Sequence, residues 1–118
     1  MGESVLRTKA YDFAVRTVKL ARYLVEEKHE HVLSKQVLRS GTSIGANVEE
    51  ANHGQSRKDF VHKLSIALKE ATETNYWLRL LRDSETLEKN IADSLLNDCE
   101  EIQKILTASI KTTKNGRQ

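Results

Sequence analysis

A chain of 118 residues that contains no proline is built for long, uninterrupted helices. Proline removes a backbone donor and breaks helix interiors, while turn-rich β folds lean on it for their corners. Hydrophobic spacing agrees, because four segments repeat apolar residues every three or four positions. The first spans about Ser4 to Glu27, with Leu6, Ala10, Phe13, Ala14, Leu20, Ala21 and Leu24 as its stripe. The second runs from about Leu33 to His53 with Val37, Ile44, Val48 and Ala51 on one side, and Gly54 is expected to supply a left-handed stop just past it. The third begins after Ser56, a good N-cap with Asp59 three positions on, and carries Phe60, Leu64, Ala67, Leu68, Ala71, Leu78 and Leu81. The fourth runs from about Thr86 to Ile110, with Leu87, Ile91, Leu95, Ile102, Ile105 and Leu106.

Helices of ~20–25 residues are about 30–37 Å long, and the short joints between them make sequential helices antiparallel neighbours. The expected fold is all-α, an antiparallel up-down-up-down four-helix bundle. It occupies residues 1–110 as one domain, and residues 111–118 form a polar tail expected to be disordered. No apolar run approaches the roughly 18 residues needed to span a bilayer. Met1-Gly2-Glu3-Ser4 lacks the basic-then-apolar order of a signal peptide, and the single cysteine, Cys99, suits a reducing compartment. The expected location is the cytoplasm.

Two helices carry more apolar surface than one core needs. Tyr11, Val15, Val18 and Val25 widen the arc of the first, and Ile66 and Trp77 give the third a second stripe. Contiguous exposed apolar surface marks an interface, and aromatic residues are common anchors there. The chain is therefore expected to be a homo-oligomer whose interface uses Tyr11, Val15, Val18, Ile66 and Trp77. The bland alternative wraps the first helix in its neighbours and leaves Trp77 in a groove.

Catalytic constellations are not legible. Glu50-x-x-His53 has the spacing of a bundle metal motif, and Asp59-x-x-His62 nearly so, but both histidines fall opposite the apolar faces of their helices. His29 and His31 flank a glutamate without a cysteine partner. Cys99 sits beside Asp98, Glu100 and Glu101, a setting that raises a thiol pKa, the wrong direction for a nucleophile. There is no nucleophile elbow and no glycine-rich phosphate loop. The chain is expected to be no enzyme and to need no metal, no other cofactor and no small-molecule substrate. Gly41 and Gly45, four apart, suit the close approach of another backbone.

The second helix has an ordered polar stripe. Gln36, Arg39, Ser43, Asn47 and Glu50 fall within an arc of about 80° beside the apolar face. Arg39 and Glu50 are too far apart to pair within one helix, so each needs a partner elsewhere, and Glu70 and Glu73 of the third helix are available. These seven residues are expected to form a structural polar network.

Net charge is only +2, yet it is uneven: residues 1–25 and 56–82 carry +3 each, 83–110 carry −5 and 111–118 carry +3. An acidic fourth helix lying between basic helices would neutralise them. A nucleic-acid face is the alternative, with Arg7, Lys9, Arg16, Lys19, Arg22, Arg57, Lys58 and Lys63 as its candidate contacts.

The run QVLRSGTSIGANVEEA, Gln36 to Ala51, resembles the signature of the bacterial four-helix bundle proteins related to the 23S rRNA intervening-sequence protein. FVHKLSIALKEATETNYWLRLL, Phe60 to Leu81, is similar to that family's third helix, and Ala10-Tyr11-Asp12-Phe13-Ala14 to its first. The resemblance implies a bundle that assembles into a ring, a homopentamer, with no catalytic residues. Some members are encoded within rRNA genes, and a related branch is the accessory protein of diversity-generating retroelements, working with RNA and a reverse transcriptase. The implied role is binding RNA or a ribonucleoprotein. A protein-only scaffold or adaptor is the alternative.

Overall fold

The computed structural model describes residues 2–116. It contains four helices: α1 (Gly2–Glu26), α2 (Leu33–Ala51), α3 (Arg57–Asp83) and α4 (Lys89–Lys114). Among the described residues there is no strand. α1 packs on α2 and α4, and α3 packs on the same two, so α1 and α3 stand diagonally, without close backbone approach, across a shared core. The four form a rod of 46 × 20 × 19 Å. Along its axis run Leu6, Phe13 and Leu24 of α1, Val37, Ile44 and Val48 of α2, Leu64, Leu78 and Leu81 of α3, and Ile102 and Leu106 of α4. Burying side chains of this kind contributes about 1.5–3 kcal/mol each before the entropy of ordering them is set against it. No described helix is long and apolar enough to cross a membrane.

Local chemistry sets the helix ends. α1 closes when Glu30 N–H returns to the Leu24 carbonyl (2.9 Å), with His29 in the left-handed region at φ 55°. α2 starts behind Val32, whose side chain has nothing to offer the free N–H groups. The Glu30 carboxylate accepts instead, from Ser34 (2.7 Å) and Val32 (3.2 Å). Ser56 caps α3, its Oγ accepting from Asp59 N–H at 3.1 Å.

Three boundaries differ from the sequence reading. Gly54 does not turn left-handed; α2 ends at Ala51, and Gly54 N–H simply closes onto the Ala51 carbonyl at 3.1 Å. α4 begins at Lys89, because Thr86 and Leu87 both donate to the Leu81 carbonyl (3.0 Å each) and so belong to the closure of α3. α4 also runs through Lys114, past the expected end at Ile110. Thr113 is buried and donates back to Ser109 (2.8 Å), so residues 111–114 are the last turn of the helix instead of a disordered tail. The left-handed glycine stop is Gly116, at φ 79°. Arg117 and Gln118 lie outside the described residues.

Glycine brings α1 and α2 together. A Cβ on Gly41 would sit 2.5 Å from Thr17 Cγ2, and one on Gly45 would sit 3.3 Å from the Ala10 carbonyl oxygen.

Candidate interaction surfaces

The interior holds hydroxyls and one thiol. Thr17 donates to the Phe13 carbonyl (2.8 Å). Thr74 Oγ1 lies 2.8 Å from both Ser40 Oγ and the Glu70 carbonyl, bridging α2 and α3. Cys99 points its sulfur at the Ala71 carbonyl (3.3 Å); burial, then the charges of Glu100 and Asp98, push the thiol up to about 12. Such a thiol supplies no thiolate near neutrality. Among the described residues no buried side-chain polar atom lacks a partner. No three described His, Cys, Asp or Glu side chains cluster as a metal site would require. His53, just past α2, is 75% exposed and 3.6 Å from Glu49 of that helix, and His62 is exposed on α3.

The polar stripe on α2 divides. Arg39 reaches across to α3, to Glu70 (3.3 Å) and to Glu73, and the Trp77 indole N–H donates to the same Glu73 (2.9 Å). Glu50 accepts from Lys63 of α3 at 2.7 Å. Ser43 and Asn47 turn back on their own helix, to the carbonyls of Arg39 (2.7 Å) and Ser43 (2.8 Å). Gln36 is half-buried at the far end of the stripe.

The eight candidate nucleic-acid contacts split evenly. Arg7 pairs with Glu49 (2.8 Å), Lys9 with Glu101 (3.2 Å), Arg16 with Asp98 (2.6 Å), and Lys63 with Glu50 (2.7 Å). Lys19, Arg22, Arg57 and Lys58 are exposed and pair with no described carboxylate. Another ionic cluster, absent from the sequence reading, ties the far end of the α1–α4 seam. Glu88 accepts from Lys28 (2.9 Å) and Tyr23 (2.7 Å), which hold its carboxyl down at about 2.

Tyr11 is 70% exposed, and Val15 and Val18 beside it are exposed too, a row of apolar side chains on the solvent face of α1. Next to it lies a groove of about 350 Å³ between α1 and α2, floored by Ala14, Thr42, Gly45 and Ala46. Ile66 and Trp77 sit on α3, away from that row. Both are half-buried; Trp77 packs on the core and presents an edge to Tyr76, ring centroids 5.0 Å apart.

Sequence reasoning passed over one surface. Along α3 and α4 two adjoining depressions of about 550 and 290 Å³ share Leu68 and Thr107 and are edged by Lys104, Lys111 and Lys114. The signal was present: residues 102–116 contain three lysines and no carboxylate, although the stretch 83–110 carries −5.

These features define a helical bundle whose interior is closed and whose chemistry lies on its outer faces. The chain belongs to the 23S rRNA-intervening sequence protein family, which matches residues 3–108. It is also similar to a crystal structure of a protein of unknown function from the S23 ribosomal protein family of Bacteroides thetaiotaomicron. The two are 54% identical with a TM-score of 0.93, and the match covers 95% of this chain and 100% of that one. No curated protein matches the chain.

Proposed function

We propose that this chain is a non-catalytic homo-oligomer, an antiparallel up-down-up-down bundle that closes into a pentameric ring in the bacterial cytoplasm and binds RNA or a ribonucleoprotein. The antiparallel arrangement is supported by contacts that join low numbers on one helix to high numbers on the next, Arg7 to Glu49 and Thr17 to Gly41. The observation that carries the assembly is the row Tyr11, Val15 and Val18, which the chain leaves in water at a cost in hydrophobic free energy. Ile66 and Trp77 stand on α3, diagonal to α1. A ring needs two different patches on each copy, one for each neighbour; the α1 row would be one, and the outer edges of the half-buried Ile66 and Trp77 the other.

Light scattering tests the assembly. The expected mass is five times 13.4 kDa, and Tyr11→Glu with Val15→Glu should release folded monomers. A wild-type monomer at all concentrations would refute it. The RNA role rests on the family's name and on the exposed, unpaired Lys19, Arg22, Arg57 and Lys58. Filter retention of total cellular RNA at two salt concentrations tests it, since phosphate contacts weaken steeply with salt.

A protein-only scaffold is the second reading. One observation favours it: Arg7, Lys9, Arg16 and Lys63 are each engaged by a carboxylate of the same chain. No retention of RNA even at low salt would leave this reading standing.

A further inference from the structure

We infer that the groove between α3 and α4 is the surface that holds the RNA, as a single-stranded segment; this rests on the RNA-binding reading above and places it away from α1. Three lysines of α4, Lys104, Lys111 and Lys114, edge the groove. At 100° per residue they share an arc of about 80°. On the solvent face of α3 beside the groove, about 40–100° round the helix from its lining residues Leu68 and Thr72, Lys58 and Lys69 fall within about 20° of one line, and Tyr76 lies on it about 27 Å from Lys58. All five lysines are exposed, and none is within ion-pair distance of a described carboxylate. On the α1–α4 seam, by contrast, Lys9, Arg16 and Lys28 are engaged within the chain. Lys111 and Lys114 lie in the last turn of α4, where the helix dipole favours a cation; Lys58, Lys69 and Lys104 have no such partner, and an external polyanion would relieve the repulsion along the row.

The occupant follows from what flanks the charge. Separate ammonium groups strung along a groove suit the singly charged phosphates of a backbone. Tyr76 is half-exposed, with the Arg79 guanidinium 5.8 Å from its ring centroid. Rings and guanidinium planes are the surfaces on which unpaired bases stack, which selects a single strand over a duplex. An acidic amphipathic helix would need apolar anchors here. The lining offers Leu68 and Ile110, both half-buried, and the small Ala108, while the large exposed apolar residues Tyr11, Val15 and Val18 are on the diagonal helix. Neither that row nor Ile66 and Trp77, the ring's second patch, lines the groove.

The test is fluorescence anisotropy with a short labelled oligouridylate and the full chain. Wild type is expected to bind, with affinity falling as salt rises. Lys104→Glu, Lys111→Glu and Lys114→Glu together should weaken binding at least ~10-fold and flatten the salt dependence. Lys35→Glu on α2, exposed and outside every candidate contact, should change it less than about threefold; Lys19→Glu with Arg22→Glu on α1 reports on the alternative site, and Tyr76→Ala should lower binding by roughly 5-fold or more. Circular dichroism and oligomer mass control for folding; if the charge reversals disturb either, the three Lys→Gln changes take their place. Undiminished binding by the α4 variant, with loss in the α1 variant, overturns the groove but keeps RNA binding. No binding by wild type removes both. Displacement of the RNA by polyglutamate as readily as by unlabelled RNA overturns nucleic acid as the occupant.

Discussion

Arg39 shows how one residue joins two helices. Its guanidinium meets two carboxylates of α3, and one of them also takes the Trp77 indole N–H. Arg39 is half in water (49%), so each contact alone is weak, but Glu70 is only 18% exposed and would lose its counter-charge. Arg39→Ala is expected to cost about 1–2 kcal/mol in chemical denaturation, more than an isolated surface pair. Gly41 works by absence. The Cβ of Gly41→Ala would collide with Thr17, so the change should cost about 1–3 kcal/mol, and adding Thr17→Ala should recover most of it. The glycine was legible as a contact point from its spacing to Gly45, but its partner was not. Ser40 and Thr74 were missed altogether. They occupy apolar register positions on their helices, yet their polar identity concealed that each would satisfy the other in the core.

At the scale of the element, helix existence was legible and helix ends were not. Periodicity reports which residues face inward, and that signal is strong over six or seven turns. Ends depend on single hydrogen bonds. Nothing in Thr86 or Leu87 announces that both return to Leu81, and Thr113 sits among polar neighbours that disguise its burial. The loop before α4 leads to a pH prediction. Lys28 and Tyr23 hold the Glu88 carboxyl at about 2 against an ordinary 4.5. A depressed carboxyl stabilises the fold above its unfolded value, and that contribution is lost as pH falls through the folded one. Asp93 is lowered as well, by Lys89 and then Arg82. Stability should therefore decline as pH drops from 4.5 towards about 2, and Glu88→Gln should make that decline shallower in acid titrations followed by circular dichroism.

For the whole molecule, the charge pattern along the sequence correctly suggested neutralisation between α1 and α4 but hid the division of α4 into two halves. The first half, with Asp93, Asp98, Glu100 and Glu101, supplies the partners of Lys9 and Arg16; the second bears only lysines. Segment totals average over that division, and only the rotation of each helix tells which side a charge serves. Candidate surfaces were accordingly less legible than the fold.

The seams of the rod are unlike one another. Beside their exposed pairs Arg39–Glu70 and Lys63–Glu50, α2 and α3 share the buried Ser40–Thr74 bond, whereas the ion pairs of α1 with α4 are Lys9–Glu101 and Arg16–Asp98, with Lys28–Glu88 at the helix ends, all 31–53% exposed. Mobile ions reach the exposed pairs and not the buried bond. The rod thus has a salt-sensitive edge along one side. In hydrogen exchange at raised ionic strength, amides of α1 and α4 should lose protection before those of α2 and α3, while uniform loss would mean that all four seams open together. If so, the first helix can peel away as a unit over a still-paired remainder, giving the chain a direction in which to come apart.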